Sequence, residues 1–223
     1  LQELKSSTRN IITLEDPVEF SIDELRQTQI IPEQGLSFAV GMRSVLRQDP
    51  DALMIGEIRD PETAEYAIRA SLVGRIIVST IHSNTTVGTI ARLIDMNIDR
   101  SLIAYALNGI MARRLVRRVC RHCQTSYTPL PQYLAHFGLN TKDHSFVKGG
   151  GCETCSNTGF TGRIGIFEVL ELDDSLRTLI VERAPMSTLQ EYMEKTNVKT
   201  LKHDAIEKIL AGLTTIEEAA KAV

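Results

Sequence analysis

Aromatic residues are scarce in this chain: tryptophan is absent, and Phe and Tyr together make up 5% of the 223 residues. A platform that stacks the bases of single-stranded nucleic acid depends on aromatic rings, so the composition argues against that class of protein. Charge of one sign is not in excess either, because the net charge is −3 and the pI is about 6.0. The chain therefore has no global attraction to nucleic acid. It also contains no apolar run of membrane length, no internal repeat and no low-complexity tract.

Cysteine is rare and occurs only in two C-x-x-C pairs, Cys120 with Cys123 and Cys152 with Cys155. This is the shortest spacing that brings two thiolates onto one metal, and four thiolates complete a tetrahedral Zn²⁺ site. Two disulfides or reduced core cysteines are the alternatives. Because the sequence shows no secretory signal, we favour a closed structural zinc site without chemistry of its own. His122, inside the first pair, could replace one of the ligands.

Three short apolar runs lead directly into polar side chains. The runs and the residues that follow them are 10–14 with Glu15, Asp16 and Glu19, 52–55 with Gly56 and Glu57, and 76–81 with His82. Their unbroken apolar character is typical of strands covered on both faces. Such strands in a parallel sheet would bring these polar residues to one edge.

A helix is predicted between the second and third runs. Asp60 suits the N-cap, Pro61 the first helical position, and Gly74 the position just past the end. Strand, helix and strand in this order predict a parallel crossover, so the carboxyl ends of the strands share one edge of the sheet. Ligands of open α/β sheets bind at that edge. We therefore predict an α/β fold with a nucleotide site formed by the acidic residues and His82.

Two groups of arginines remain open to more than one interpretation. Arg43 and Arg47 lie four apart on the helix predicted before the Glu57 strand. They can reach a phosphate or an adjacent subunit, but surface pairing with Asp49 or Asp51 explains them equally well.

The second group follows a helix predicted to start near Ser101, and it consists of Arg113, Arg114, Arg117, Arg118 and Arg121. Cations are favoured at a helix carboxyl terminus, so a solvated face or a subunit contact is the first interpretation. Beside a zinc site the same residues can bind phosphate or anionic lipid. The alternative function is therefore a non-catalytic zinc-ribbon module that binds nucleic acid, which leaves the three polar strand ends unexplained.

The rest of the chain is predicted to form a metal subdomain and a helical end. Residues 124–148 form a connector with one short helix around Tyr133, and a strand follows Gly162. Helices are predicted at 174–183, 188–195, 205–211 and 215–222, the last with a capping-box spacing. The predicted domains are residues 1–119 for the core, 120–163 for the metal-binding subdomain and 164–223 for the helical subdomain.

Several long motifs resemble those of a known family. TLEDPVE, LRQDPDALMIGEIRD and STIHSNTTVGTIARLIDM resemble the Asp box, the Walker B motif and the His box of the type II secretion and type IV pilus assembly ATPases. GRIGIFEVLEL and LKHDAIEKILAGLTTIEEAAKAV extend the resemblance to the end of the chain. It implies a hexameric motor with a RecA-like core on the cytoplasmic side of the inner membrane. It also implies bound ATP and Mg²⁺, an inner-membrane platform protein as partner, and no specific nucleic acid.

The resemblance also implies roles for individual residues. Glu57 would orient or deprotonate the attacking water, and His82 would sense or position the γ-phosphate. Glu15, Asp16 and Glu19, together with Arg59, would form the Mg-ATP edge. Tetracysteine knuckles resemble those of motors that assemble a filament rather than retract it.

The sequence departs from the family pattern in two places. Arg75 stands where the His box usually shows a second histidine besides the one at His82. More importantly, no GxxxxGK[ST] motif occurs, and this loop cradles the phosphates in P-loop proteins. In the family the loop lies just upstream of the Asp box, and the opening LQELKSSTRN resembles the end of the helix that follows it. We therefore expect a carboxyl-terminal fragment that begins after the P-loop and is inactive on its own.

Overall fold

A computed structural model describes residues 1–6 and 8–223, with the side chain of Gln2 also outside the description. The chain divides into two compact units: residues 1–110 with 171–192, and residues 111–170 with 193–223. The three-part division expected from the sequence stays a prediction. No helix of the described chain is both long and apolar enough to cross a membrane.

The first unit is built on a parallel sheet of four strands in the order β2-β1-β3-β4. The strands are β1 (Ile11–Glu15), β2 (Arg26–Gln29), β3 (Ala52–Ile58) and β4 (Ile76–Ile81). The α/β fold, the parallel sheet and the three predicted strands are confirmed. The strand β2 was not predicted, because its sequence RQTQ contains no apolar residue.

The helices of the described chain are divided between the two units. They are α1 (Phe38–Val45), α2 (Pro61–Leu72), α3 (Thr86–Asp95), α4 (Arg100–Ala106), α5 (Pro131–Phe137), α6 (Asp174–Val181), α7 (Met186–Lys195), α8 (Leu201–Leu210) and α9 (Ile216–Ala220). Helices α1 to α4 and α6 lie in the first unit, and α5, α8 and α9 lie in the second. The short helix at Tyr133 and the four carboxyl-terminal helices are confirmed. Of the opening segment that resembles a helix end, Gln2–Leu4 form a 3-10 turn, and Ser7 lies outside the described residues.

One face of the sheet packs on α1 and α2. Leu14, Leu53 and Ile55 of the central strands are fully buried against Met42 of α1 and Ala67 of α2. Each fully buried aliphatic side chain contributes about 1.5–3 kcal/mol, so this cluster stabilises the strands that carry the acidic residues. The helix signals behave as predicted: the Asp60 carboxylate accepts a hydrogen bond from the Thr63 amide at 2.8 Å, and Gly74 adopts a φ of +92° just past the end of α2.

The prediction that all three strands are covered on both faces is wrong for β4. Ile76 and Val78 are 41% and 46% exposed, whereas residues 11–14 of β1 and Ala52, Leu53 and Ile55 of β3 are buried. The strand β4 pairs only with β3 among the described residues, which makes it an edge strand. An apolar sequence therefore did not distinguish a central strand from an edge strand.

The helix predicted to run from Ser101 into the arginine cluster is also wrong. Helix α4 ends at Ala106, Leu107 is already extended with φ −78° and ψ 128°, and a strand begins at Gly109. This strand, β5 (Gly109–Val119), carries Arg113, Arg114, Arg117 and Arg118, and Arg121 follows it. Asn108 and Gly109 are a strong breaker pair that explains the end of the helix. The helix-dipole explanation of the cluster no longer applies.

The second unit combines two small sheets with α5, α8 and α9. Strand β5 pairs with β8 (Phe160–Glu171), which contains the predicted strand after Gly162, and β6 (Gln124–Tyr127) pairs antiparallel with β7 (Phe146–Gly149). The core of this unit joins the strands to the last two helices and consists of Val116, Phe137, Phe146, Ile166, Leu201, Ala205, Ile209, Ile216 and Ala219. The last two helices therefore take part in the core of the unit that contains the four cysteines.

Candidate nucleotide edge and candidate metal centre

The polar strand ends converge at the carboxyl edge of the parallel sheet. Glu15 ends β1 and Asp16 follows it, Glu57 lies near the end of β3, and His82 follows β4. The Nε2 atom of His82 lies 3.0 Å from Oε2 of Glu57, and the guanidinium of Arg59 donates to Oε1 of the same carboxylate. The structure thus brings together three of the residues that the sequence analysis placed at this edge.

An irregularity in β3 lies at the point where Glu57 stands. Ile55 is opposite Ser79 in β4, but Ile58 is opposite Ile81, so β3 contains one residue more than β4 in this interval. Such bulges occur often beside active sites, where they redirect a side chain. The carbonyl of Gly56 accepts a hydrogen bond from the Thr80 hydroxyl at 2.7 Å, which holds the irregular segment to β4.

Gly56 also meets a steric requirement in this segment. A Cβ atom at this position would lie 3.2 Å from the carbonyl oxygen of Leu14 and 3.5 Å from Phe38. A side chain here would therefore press on β1 directly before Glu57, which explains the glycine.

The ionic surroundings of Glu57 favour its charged form. The side chain of Glu57 is 14% exposed, whereas those of Arg59 and His82 are 58% and 88% exposed. The hydrogen bond from Arg59 holds the pKa of Glu57 below its ordinary value, against the opposing effect of burial and with a smaller contribution from His82. Arg59 also lies 3.5 Å from Oδ2 of Asp16, so one guanidinium connects the ends of β1 and β3.

Gln27 of β2 is a member of this edge that the sequence analysis missed. Its amide nitrogen donates to Glu15 Oε1 at 2.9 Å and to the Phe20 carbonyl at 3.0 Å, and its oxygen accepts from the Ile22 amide at 2.6 Å. The buried Thr13 hydroxyl also donates to Glu15. Gln27 therefore fixes both the Glu15 carboxylate and the acidic loop that follows β1. No sequence signal pointed to it, because β2 itself was not predicted.

The remaining candidates of this edge lie in different surroundings. Glu19 is exposed in the loop between β1 and β2. Arg43 is exposed on α1, where its nearest acidic partner is Glu62 at 3.9 Å, and Arg47 is exposed in the 3-10 turn after α1. The suggested pairing of these arginines with Asp49 or Asp51 is not seen.

Arg75 takes one of those acidic partners instead. It directly precedes β4 and lies 3.3 Å from Asp49 Oδ1, whereas His82 directly follows the same strand. Arg75 thus lies at the amino end of β4 and His82 at its carboxyl end. Arg75 is therefore far from Glu57, and it anchors the turn before β3.

The four cysteines form one cluster in the second unit. The Sγ atoms of Cys120 and Cys152 are 3.9 Å apart, those of Cys123 and Cys155 are 3.8 Å apart, and those of Cys152 and Cys155 are 3.7 Å apart. All four sulfurs lie within 4.8 Å of one another. The three distances given above are much longer than the S–S bond of a disulfide, so the four cysteines are free thiols. Four sulfurs at about 2.3 Å from one Zn²⁺ would be about 3.8 Å apart, so the spacing fits a tetrahedral metal site.

Backbone amides point at the sulfurs of this cluster. The amides of Cys152 and Gly159 donate to Cys155 Sγ at 3.2 Å, and the amide of Gly151 donates to Cys123 Sγ at 3.3 Å. Burial alone would raise the pKa of Cys155, but these donors outweigh it and lower the pKa to about 6, whereas burial raises the pKa of Cys123 to about 11. A divalent cation would stabilise all four thiolates together.

His122 lies outside the cysteine cluster, and Arg117 contacts a carboxylate and an aromatic ring. His122 is exposed and does not belong to the four-residue cluster. The Arg117 guanidinium donates to both carboxylate oxygens of Glu218, at 2.9 and 2.6 Å, and lies 4.0 Å from the centre of the Phe160 ring. Arg117 therefore ties β5 to α9.

The family model and the relatives that match this chain belong to the same group of secretion and pilus proteins. The family model described as "Type II/IV secretion system protein" matches residues 1–221. The type II secretion system ATPase E of Vibrio cholerae is 43% identical over 98% of this chain and 43% of its own length. The type IV pilus assembly ATPase PilB of Thermus thermophilus is 42% identical over 98% of this chain and 25% of its own length. The chain thus spans less than half of the length of these two relatives.

Solved structures agree on the fold. A crystal structure of the pilus retraction motor PilT with bound ADP superposes with a TM-score of 0.70 at 27% identity, over 96% of this chain and 52% of that chain. The ATPase DotB of Legionella pneumophila superposes with a TM-score of 0.69 at 21% identity, over 97% of this chain and 52% of that chain, which supports the fold alone.

Proposed function

Because the chain belongs to the type II/IV secretion system protein family, we propose that it forms the catalytic edge of a motor ATPase that assembles a type II secretion pseudopilus or a type IV pilus. The observation that carries this proposal is the convergence of Glu57, His82, Arg59 and Asp16 at the carboxyl edge of a parallel sheet. Ligands of such sheets bind at this edge. The names of the relatives supply the reaction and the process.

Within this proposal each residue at the edge has a distinct task. Glu57 orients the attacking water or accepts its proton, and His82 positions the γ-phosphate. Carboxylate oxygens are ligands that Mg²⁺ prefers, so Glu15, Asp16 and Glu19 would hold the ion, which neutralises charge on the phosphates when bound. Arg43 and Arg47 stay candidates for a phosphate or a neighbouring subunit, because both are exposed.

The phosphate cradle is a requirement that these residues do not meet. The sequence contains no GxxxxGK[ST] motif, whose backbone amides and lysine supply most of the nucleotide affinity. We therefore propose that the 223-residue chain alone binds ATP weakly and does not hydrolyse it at a useful rate. The catalytic test needs a protein in which this chain is joined to such a loop.

The cysteine cluster supports a structural role and the direction of the motor. We propose that Cys120, Cys123, Cys152 and Cys155 hold one Zn²⁺ without taking part in hydrolysis, because four thiolates leave no open coordination position. Tetracysteine knuckles and the type IV pilus assembly ATPase PilB, which is 42% identical to this chain, favour filament assembly, whereas the retraction motor PilT is 27% identical.

The proposed partners follow from the family. The motor would act as a homo-hexamer on the cytoplasmic face of the inner membrane and dock on a platform protein there. The alternative, a zinc-ribbon module that binds nucleic acid, is less well supported, because Arg117 of its arginine cluster is already bound to Glu218. No specific nucleic acid is expected as a partner.

The test of the catalytic assignment is Glu57→Gln in the gene product that contains this chain. Glutamine keeps the size of the side chain but removes the carboxylate, so hydrolysis should fall by on the order of 10²–10⁴, or about 3–5 kcal/mol of transition-state stabilisation. ATP binding should survive, because the P-loop and Mg²⁺ supply most of it. ATPase rates, nucleotide affinity and filament assembly in cells are the measurements.

The matched control is Glu65→Gln, which removes an exposed carboxylate from α2, where it pairs with Arg69 at 2.8 Å. This variant should hydrolyse ATP at the normal rate. Near-normal hydrolysis by Glu57→Gln would remove Glu57 from the mechanism and move the catalytic role to the acidic block at Glu15.

A further inference from the structure

Arg59 connects the two acidic strand ends from their solvent side. It donates to Oε1 of Glu57 and lies 3.5 Å from Oδ2 of Asp16, two residues that come from β3 and β1. Its side chain is 58% exposed, whereas those of Asp16 and Glu57 are 31% and 14% exposed. Arg59 therefore covers both carboxylates, and it can leave them without disturbing the buried core.

This arrangement hinders the task proposed for Glu57. A water-activating carboxylate needs a free oxygen and a basicity suited to accepting a proton. Here Oε1 of Glu57 accepts from Arg59, and Oε2 lies 3.0 Å from His82 Nε2. The same contact with Arg59 holds the pKa of Glu57 below its ordinary value, which makes the carboxylate a weaker base.

We propose that Arg59 is a positioning residue that restrains Glu57 in the nucleotide-free protein and releases it when substrate binds. The inference rests on the proposed function, since it assigns a resting state to the same edge. A triphosphate competes for the guanidinium, because an arginine fork binds phosphate as well as carboxylate. Arg59 then moves from Glu57 to the phosphates, and Glu57 keeps His82 as its orienting partner.

The exchange couples substrate binding to the competence of the base. Without substrate, the positive charge of Arg59 reduces the electrostatic repulsion between the carboxylates of Asp16 and Glu57, because the guanidinium contacts both. With substrate, the guanidinium is drawn to the phosphates and Oε1 of Glu57 becomes free for water. The motor would therefore keep its base inactive until a nucleotide is in place.

The first experiment measures the restraint directly in the nucleotide-free 223-residue chain. The carboxyl carbon of Glu57, observed by NMR in protein labelled at glutamate Cδ and assigned with Glu57→Gln, is titrated in wild type and in Arg59→Gln. The titration midpoint of Glu57 should rise in the variant, because its main stabilising donor is lost. The control is Arg69→Gln, which breaks the exposed pair with Glu65 and should leave the Glu57 midpoint unchanged.

The second experiment measures catalysis in a protein in which this chain is joined to a P-loop. If Arg59 only bound ATP, Arg59→Gln would raise KM and leave the pH profile of kcat/KM unchanged. If Arg59 restrains Glu57 in the free enzyme, the acid limb of kcat/KM should move to higher pH in Arg59→Gln, whereas the acid limb of kcat should stay in place, because Arg59 has already left Glu57 in the substrate complex. Arg59→Lys, which keeps the charge but loses the fork, should lie between wild type and Arg59→Gln.

The two experiments separate this inference from the proposed function. An unchanged Glu57 titration in Arg59→Gln would overturn the restraint, and an acid limb of kcat that moves together with that of kcat/KM would overturn the release of Glu57 on substrate binding. Full activity of Glu57→Gln would instead overturn the catalytic role of Glu57, while the titration would still decide whether Arg59 holds that carboxylate. A raised midpoint together with a shift of the acid limb that is confined to kcat/KM supports the proposal.

Discussion

At the scale of single residues, an ion pair in the second unit joins Glu218 of α9 to Arg117 of β5. Both guanidinium contacts and a further bond from Lys221 fall on a carboxylate that is only 9% exposed. The hydrogen bond from Arg117 dominates, exceeds the opposing effect of burial and lowers the pKa of Glu218 from 4.5 to about 2. This pair therefore makes the stability of the unit depend on pH.

We expect Glu218→Gln to destabilise the second unit by about 1–2 kcal/mol at pH 7, a value reduced because Arg117 is half exposed and screened by solvent. The folded protein favours the carboxylate, so its stabilisation is fully present above pH 4.5 and is lost as the pH falls towards 2. Urea unfolding at pH 7 and at pH 3 measures the difference from wild type, which should shrink at the lower pH.

The control for this pH dependence is Glu191→Gln, which changes an exposed residue of α7. Its unfolding midpoint should match wild type at both values of pH. An equal destabilisation by Glu218→Gln at pH 7 and pH 3 would show that lost packing, rather than the ion pair, causes the effect.

At the scale of elements, local chemistry decided which parts were predictable. Asp60, Pro61 and Gly74 carry their own helix signals, and α2 begins and ends where these residues indicate. The strand β5 was missed because its apolar residues also fit a helical face, and only Asn108 and Gly109 marked the break.

The contacts of the candidate sites show a similar contrast. Cysteine spacing predicted the cluster, since C-x-x-C constrains two sulfurs locally. Gln27 of β2 contacts Glu15 of β1, and Arg59 after β3 contacts Asp16 after β1, so these pairs depend on the order of the strands in the sheet. No pattern along the chain contains that information, because it arises only when the strands pair.

The elements that carry the cysteines also make a close backbone contact. A Cβ atom on Gly149, the last residue of β7, would lie 2.0 Å from the carbonyl oxygen of Gly159. That carbonyl accepts a hydrogen bond from the Cys120 amide at 2.9 Å, and the Gly159 amide donates to Cys155 Sγ at 3.2 Å. Any shift of Gly159 therefore moves both cysteine pairs.

We expect Gly149→Ala to destabilise the second unit by about 1–3 kcal/mol, as overpacking does, and to speed the loss of metal to a chelator. The neighbouring Gly150→Ala is the matched control, because a Cβ there would meet only the Cys123 carbonyl at an ordinary 3.6 Å. Thermal unfolding and the rate of zinc release to a chromogenic chelator are the measurements. Equal release rates in the two variants would contradict the role of this contact.

At the scale of the whole molecule, the two units have separate cores. The parallel sheet of the first unit packs on α1 and α2, whereas the second unit packs β5 and β8 with α5, α8 and α9. The cysteine cluster lies entirely within the second unit. The metal would join the segments on either side of β6 and β7, so the second unit depends on it, whereas the first unit contains none of the four cysteines.

Removal of the metal should therefore act on one unit only. After chelation, hydrogen exchange should quicken at residues 120–160, because the two cysteine pairs lose their common ligand, while the amides of β1 and β3 keep their protection, since their hydrogen bonds are buried in the first unit. Hydrogen-exchange mass spectrometry before and after chelation measures both regions. Added Zn²⁺ should restore the wild type but not Cys152→Ser, which lacks one sulfur of the cluster. Equal loss of protection in both units would show that the metal stabilises the molecule as a whole, and unchanged exchange at 120–160 would remove the structural role of the cysteines.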